Sequence, residues 1–147
     1  MRDIDEISGE VLDVALRLHR DLGPGLLESV YEGLLAARLR ASGLAVEQQK
    51  TIGAEFESIR FDAAFRADLV VEGRLVVEVK SIDRLMPVHS KQLLTYLRLM
   101  KQPVGLLLNF GGATLKEGVR RIVNDYNPSA SPLLSPRLRV NQIPRSN

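Results

Sequence analysis

Two short apolar runs separated by only three residues constrain the fold of this chain more than any other feature of its sequence. The runs are residues 66–71 and 75–80, and residues 72–74, Glu-Gly-Arg, lie between them. Runs of this length that are bounded by a glycine-containing loop are typical of a β-hairpin. A three-residue loop places Asp68 opposite Glu78 on one face of the hairpin, whereas a two-residue loop would turn Asp68 to the other face.

The same hairpin carries the residue types of a divalent metal site. Residues i and i+2 of a strand share a face, so Glu78 and Lys80 project together while Val77 and Val79 point into a core. Asp68 and Glu78 are suited to Mg²⁺ or Mn²⁺, with the carbonyl of Val79 as a further ligand. Lys80 could stabilise charge on phosphorus or lower the pKa of an attacking water, which suits phosphodiester hydrolysis. In the alternative, Glu78 and Lys80 form a surface patch with Asp68 as a solvated partner, and the spacing alone does not decide.

The composition excludes several other kinds of site. The chain has no cysteine, and its histidines are His19 and His89. Disulfides, thiolate zinc sites, cysteine nucleophiles and histidine-rich metal sites are therefore excluded, and any metal must bind mainly oxygen. No run approaches the ~20 apolar residues of a membrane span, and the N-terminus lacks the pattern of a signal peptide. We therefore expect a cytoplasmic protein with no membrane partner.

The charge of the chain is unevenly distributed. The sequence pI is about 9.1, but residues 128–147 contain three arginines and no acidic residue, which leaves 17 basic and 18 acidic residues in the rest. Net charge is therefore weak support for a polyanionic substrate, and any basic binding surface must be local. We expect one domain over residues 1–127, followed at 128–147 by a disordered tail rich in Ser, Pro and Arg.

The N-terminal third of the chain predicts two helices. Apolar residues at helical spacing predict the first helix over residues 4–21, and Leu-Gly-Pro-Gly at 22–25 then breaks the chain. A second helix is predicted over residues 26–42 and ends at Gly43. Its predicted core face consists of Leu27, Val30, Leu34, and Ala37 or Ala41.

The remaining segments predict further strands and one more helix. Residues 45–52 and 55–65 alternate as strands and lead into the hairpin as an antiparallel meander. The continuous apolar run 104–110 predicts a central strand covered on both faces, and residues 115–123 fit either a helix or, as we favour, an edge strand.

A third helix is predicted from Pro87 to about residue 101. Its apolar side consists of Leu93, Leu94, Leu97 and Met100. Its polar stripe consists of His89, Gln92 and Tyr96.

Several polar residues of the second and third predicted helices can be interpreted either as structural or as functional residues. Glu28 begins the second helix, where the positive end of the dipole favours a carboxylate, so a structural role is the simple interpretation. Tyr31 and Glu32 lie three and four residues on and share its face. If this helix packs beside the meander, Glu28 becomes a further carboxylate near the metal, directly or through water. On their own, Gln92 and Tyr96 are typical of the boundary of an amphipathic helix.

Four motifs in order resemble those of one known family. They are Gly25-Leu-Leu-Glu28-Ser-Val-Tyr31, then Arg66-Ala-Asp68 with Glu78-Val-Lys80, then residues 87–96, and finally residues 103–111. Together they resemble the GxxExxY protein family, a branch of the PD-(D/E)XK nuclease superfamily, over about residues 4–124. The proline of the superfamily's name is replaced, since Ala67 precedes Asp68.

This resemblance implies a fold and a set of roles. The implied fold is α/β, more strictly α+β, with a restriction-endonuclease-like core in which a mixed sheet of about four to five strands is flanked by helices. The implied site comprises the acids Glu28, Asp68 and Glu78, the catalytic Lys80, and Gln92 reaching the site from a helix, with Tyr31, His89 and Tyr96 as possible supporting residues.

We accordingly expect a Mg²⁺- or Mn²⁺-dependent nuclease acting on DNA. The alternative is a non-hydrolytic nucleic-acid-binding or complex-assembly module that retains the nuclease fold, and hydrolysis of another phosphate compound ranks below both. A homodimer is a further expectation, because one active site cuts one strand.

Overall fold

The computed structural model describes residues 2–124, which contain three α-helices and five strands. The predicted tail at 128–147, and with it the domain boundary after residue 127, lies outside these residues. The helices are α1 (Ile4–Leu22), α2 (Glu28–Ala41) and α3 (Pro87–Met100). The strands are β1 (Val46–Phe56), β2 (Ile59–Val71), β3 (Leu75–Lys80), β4 (Val104–Asn109) and β5 (Val119–Val123).

The five strands form one mixed sheet in the order β1-β2-β3-β4-β5. Only β3 and β4 run parallel, and the other neighbours are antiparallel. A parallel pair needs a long crossover, which α3 supplies between β3 and β4. The α+β class and the mixed sheet expected from the sequence are thereby confirmed.

Helices cover both faces of the sheet. One core joins α1 and α2 to the face that carries Val77 and Val79. A second core joins α3 to the face that carries Val76. Every residue of β4 is buried, as the apolar run predicted for a central strand. Glu78 and Lys80 alternate with Val77 and Val79 along β3, so they lie on the side of α3.

The predicted hairpin is confirmed, but the strands before it were predicted wrongly. A three-residue turn, 72–74, joins β2 to β3, and the register pairs Leu69 with Val77. Residues 59–65 of the predicted strand 55–65 join the predicted strand 66–71 to form β2, whereas residues 55 and 56 belong to β1, which continues to Phe56. The turn between β1 and β2 falls at Glu57 and Ser58, which have φ values of 53° and 66°. Positive φ at both central residues suits a hairpin turn, but it usually requires Gly or Asn, so the sequence carried no signal for it.

The core face predicted for α2 is wrong. The helix buries Tyr31, Glu32, Leu35, Ala36 and Leu39, whereas the predicted residues Leu27, Val30, Leu34, Ala37 and Ala41 are exposed. The helix has two apolar stripes, and periodicity cannot tell which of two such stripes packs on the sheet.

The other helices and the last strand follow the predictions closely. The bounds of α1 and α3 agree with the predicted bounds within one residue, and α3 buries Leu93, Leu94 and Leu97. The predicted edge strand 115–123 begins only at Val119, because a short 3₁₀ turn occupies Lys116–Gly118. Within residues 2–124, no helix is both long and apolar enough to cross a membrane.

The two stripes of α2 give a direct test of its packing. We expect Leu35→Ala to lower the free energy of unfolding by about 2–5 kcal/mol, because Leu35 is fully buried and truncation leaves a cavity. The matched change Leu34→Ala removes a side chain that is 39% exposed, and we expect it to cost less than about 1 kcal/mol. Urea denaturation at low protein concentration measures both values, and equal losses would contradict the packing described here.

Candidate active site

Asp68 and Glu78 lie where β2 and β3 separate. β2 pairs with β1 along most of its length, but its ladder with β3 ends at the pair Leu69–Val77. One step further, the backbone N–H of Asp68 donates to Oε2 of Glu78 at 2.8 Å. The N–H of Val79 donates to Oδ2 of Asp68, also at 2.8 Å. Each carboxylate therefore binds a backbone group of the other strand. We call the pair Asp68 and Glu78 the carboxylate fork.

Glu78 is the most buried acid of this region and has the most perturbed pKa. Its residue is 6% exposed, so the interpretation as a solvated surface patch does not hold for it. Burial and then the nearby charge of Asp68 raise the pKa of Glu78 to about 8, although the Asp68 N–H and the charge of Lys80 oppose the shift. The carboxyl of Glu78 is therefore largely protonated at neutral pH in the metal-free protein, and a bound cation would favour its ionised form.

A third acid, Glu32, is connected to the fork through an amide. Gln49 Nε2 donates to Oε1 of Glu32 at 2.7 Å and to Oδ1 of Asp68 at 3.2 Å. Burial raises the pKa of Glu32, hydrogen bonds from Gln48 and Gln49 oppose this, and the charges of Asp68 and Glu28 add to it. Gln49 reaches both carboxylates from a backbone with φ of 49°, which is unusual for a non-glycine strand residue.

Glu32 and Gln49 were not among the predicted site residues. One signal for Glu32 was available, because it lies four residues after Glu28 and therefore on the same helix face. No comparable signal exists for Gln49, because its position depends on the left-handed backbone and on the packing of α2 against β1.

Glu28 lies at the start of α2, beside the end of β3. Its side chain is exposed, and Oε2 accepts a long hydrogen bond of 3.3 Å from the N–H of Ser81. The Ser81 hydroxyl donates to the carbonyl of Leu26 at 2.7 Å. These bonds connect the helix N-terminus to the residue that follows Lys80. Glu28 is thus near the fork, and its predicted role as a metal ligand stays a prediction.

Tyr31 has a structural role. Its ring is fully buried and stacks on Phe110 with centroids 4.6 Å apart. Its hydroxyl donates to the carbonyl of Gly23 at 2.6 Å and accepts from the N–H of Leu26 at 3.2 Å. Gly25 within this loop has φ of 108°, a conformation that favours glycine. The Gly-x-x-Glu-x-x-Tyr motif therefore fixes the loop that positions Glu28.

Lys80 and the Val79 carbonyl complete the polar edge. The carbonyl of Lys80 accepts from the N–H of Phe110 at 2.8 Å, so the backbone of Lys80 faces β4. Val79, the preceding residue, donates to Asp68 on the opposite side. Because the N–H and C=O of one strand residue point to the same side, the carbonyl of Val79 also faces β2 and the fork. The Lys80 charge is close enough to lower the pKa of Glu78.

The predicted residues of α3 have different surroundings. Burial, then the charges of Glu78 and Asp68, raise the pKa of Tyr96, whose ring stacks on Phe65 with centroids 3.9 Å apart. Tyr96 therefore borders the fork. Gln92 lies one turn earlier on the same face, with an exposed side chain, and its predicted contact with the site stays a prediction. His89 Nδ1 accepts from the N–H of Met86 at 2.9 Å, which closes the first turn of α3.

The donors of the fork suit a hard divalent cation. Among residues 2–124, no group of three or more His, Cys, Asp or Glu side chains is close enough to hold a metal ion. Two adjacent carboxylates and a carbonyl remain, and Mg²⁺ is usually bound by one or two carboxylates while it keeps several waters. The raised pKa of Glu78 also fits, because a cation would compensate its buried charge.

Comparisons with known proteins identify the fold and the family. The family model of the PD-(D/E)XK nuclease superfamily matches residues 5–122. The crystal structure of SSO0001 superposes with a TM-score of 0.51 at 17% sequence identity, over 82% of this chain and 59% of that one. At this identity the similarity shows the fold alone, and the chain spans about three fifths of the length of SSO0001. No curated protein sequence matches the chain significantly.

The pKa of Glu78 predicts how stability depends on pH. Because the pKa is about 8 in the folded protein and 4.5 ordinarily, the folded state holds this proton more tightly than the unfolded chain. In chelator, the stabilisation is present in full below pH 4.5 and is lost as pH rises through 8, by on the order of several kcal/mol. Glu78→Gln keeps an acceptor oxygen and should flatten this dependence. Urea denaturation across pH measures it, and equal slopes for both proteins would contradict the assignment.

Proposed function

The chain belongs to the PD-(D/E)XK nuclease superfamily, and we propose that it hydrolyses phosphodiester bonds of DNA as a Mg²⁺- or Mn²⁺-dependent nuclease of the GxxExxY branch. The carboxylate fork beside Lys80 is the observation that carries the proposal. It brings together the two acids, the backbone of Val79 and the cation of Lys80 at the point where β2 and β3 diverge. The Gly25-to-Tyr31 motif supports the finer family assignment, because it fixes the loop before Glu28.

Each residue of the site has a role in this proposal. Asp68, Glu78 and the carbonyl of Val79 would hold the metal, and Glu28 would join them directly or through water. When bound, the ion supplies a Lewis acid and a water of lowered pKa. Gln92 would orient the site from α3.

Lys80 is proposed to act on the reacting phosphate. Its ammonium group lies near enough to Glu78 to lower the pKa of that carboxyl. A fixed positive charge at this point would stabilise the negative charge that develops on the phosphate oxygens in the transition state. It would also favour the deprotonated form of an attacking water. Both effects need a cation beside Asp68 and Glu78, and the influence of the Lys80 charge on the pKa of Glu78 supports this placement.

A second candidate function rests on the hydrogen bonds of the fork. Asp68 and Glu78 each already bind a backbone N–H of the other strand, so the same acids could serve chiefly to hold the sheet. The protein would then be a non-hydrolytic nucleic-acid-binding or complex-assembly module. A metal would raise its stability or its affinity for nucleic acid, but no product would form.

The expected partners follow from the nuclease proposal. Outside the segment 128–147 the chain has nearly balanced charge, so affinity for a nucleic acid would be modest without a local basic surface, a second subunit or the arginines of that segment. A homodimer would supply a second active site for the second strand. A cytoplasmic location stays a prediction.

Cleavage assays with matched variants test the proposed chemistry. Labelled single-stranded, duplex and branched DNA, with RNA alongside, should be cut in Mg²⁺ or Mn²⁺ and not in chelator. We expect Asp68→Asn, Glu78→Gln and Lys80→Met each to lower the rate by at least about 100-fold, since electrostatic groups at a reacting centre contribute at this level. Asp62→Asn and Lys116→Met, which change exposed residues, should cut like the wild type.

The outcomes separate the two candidate functions. Cutting that persists in Asp68→Asn and in Lys80→Met would refute the mechanism. Metal-dependent binding of DNA by folded protein, without cutting of any substrate, would favour the binding module.

The Glu32–Gln49–Asp68 contact predicts a smaller effect on metal binding. Gln49→Leu removes the amide that bonds Asp68, and one lost hydrogen bond of about 1 kcal/mol corresponds to a Kd weakened by roughly five-fold. Gln48→Leu is the matched control, because Gln48 bonds Glu32 but not Asp68 among the described contacts. Calorimetric titration with Mn²⁺ measures both variants, and equal affinities would show that Gln49 does not position Asp68.

A further inference from the structure

The outward face of α2 carries an apolar stripe that nothing in the described part of the chain covers. Leu27 is 74% exposed, and Val30 and Leu34 are each 39% exposed. Ala37 and Ala41, further along the helix, are also exposed. We call these five residues the α2 stripe. Their spacing alternates between three and four residues, which is the spacing of the a and d positions in a coiled coil.

The α2 stripe lies opposite the face that packs on the sheet. The buried face consists of Tyr31, Glu32, Leu35, Ala36 and Leu39. A helix that is apolar on opposite sides is typical of a buried helix, whereas a helix on the surface of a globular protein has one apolar face. Contiguous exposed apolar residues are typical of interaction surfaces.

We propose that the α2 stripe binds the α2 stripe of a second copy of this chain, with the two helices antiparallel about a two-fold axis at Leu34. The residue sizes along the stripe carry this inference. Antiparallel pairing brings Leu27 against Ala41 of the partner subunit and Val30 against Ala37 of the partner subunit. Large residues then face small ones, which fills the interface. Parallel pairing would put alanine against alanine at two positions and leave gaps.

The helix dipoles favour the same orientation. Antiparallel pairing opposes the dipoles of the two α2 helices, whereas parallel pairing aligns them. An isologous contact of this kind closes on itself and yields a dimer, not a filament.

The surface available on α2 is small. A helix of 14 residues is about 21 Å long, and specific interfaces bury about 800 Å² per partner. Leu22 and Leu26, exposed by 44% and 41%, extend the apolar surface beyond the N-terminus of the helix. A single helix pair with this extension is a small interface, and we expect a weak dimer that forms at micromolar concentrations.

The dimer also relates the two candidate active sites to each other. Glu28 lies near one end of α2, so antiparallel pairing about Leu34 sets the two Glu28 residues on the order of 20 Å apart. Two sites at this separation could act on the two strands of one nucleic acid. This consequence rests on the proposed function, whereas the association itself does not.

Engineered cysteines test the contact and its orientation. The chain has no cysteine, so each single variant carries one thiol. Helices 8–10 Å apart bring facing backbone positions within disulfide range, and we expect Leu34→Cys to form a covalent dimer under mild oxidation. Leu27→Cys alone should not cross-link with itself, whereas a mixture of Leu27→Cys and Ala41→Cys should cross-link. Ser58→Cys, in the exposed turn between β1 and β2, controls for random collision.

Sedimentation equilibrium of the full chain gives the independent readout. The wild type should dimerise between low and high micromolar concentration, Leu34→Asp should weaken association by at least ten-fold, and Ile59→Asp, at another exposed apolar residue, should dimerise normally. Circular dichroism verifies that the variants fold. A wild type that stays monomeric would overturn the proposal, and this is the result expected if residues 125–147 covered the stripe instead. Self-cross-linking of Leu27→Cys would also overturn it. A monomeric Leu34→Asp that still cuts DNA leaves the nuclease function intact.

Discussion

The reciprocal bonds between Asp68 and Glu78 are the interaction on which the site depends. At the point where β2 leaves β3, two backbone N–H groups lose their ladder partners, and the two carboxylates accept them. Without these acceptors, buried donors would be left unsatisfied at a cost of about 1–3 kcal/mol each. The same geometry buries the Glu78 carboxyl beside the charge of Asp68, and this burial, with the Asp68 charge as the next cause, raises the pKa of Glu78 to about 8. A cation bound at this site would therefore stabilise the charged form of Glu78.

Three further elements, α2, β1 and α3, place polar side chains near the carboxylate fork. The loop fixed by Tyr31 and the bonds of Ser81 bring the start of α2 to the end of β3. Gln49, on β1, joins the acid of α2 to Asp68. Tyr96 borders the fork from α3, on the other face of the sheet from α1 and α2. Because each group comes from a different element, the site exists only in the complete fold.

The parts of this arrangement that depend on local sequence were predictable. The odd loop length fixed the pairing of Asp68 with Glu78, because strand alternation has a period of two. The parts that depend on tertiary packing could not be predicted from the sequence. Two apolar stripes on α2 left its buried face open, and the stripe that includes Leu34 proved to be exposed. Gln49 joined the site through a left-handed backbone that its sequence does not signal.

The central claim is that the fork binds a divalent cation by exchanging it for the proton of Glu78. Calorimetric titration with Mn²⁺ at pH 7, in two buffers of different ionisation enthalpy, counts the protons released on binding. With a pKa of about 8 for Glu78, the account predicts release of close to one proton per ion in the wild type, and neither proton release nor tight binding in Glu78→Gln. Binding without proton release, or equal binding by Glu78→Gln, would contradict it.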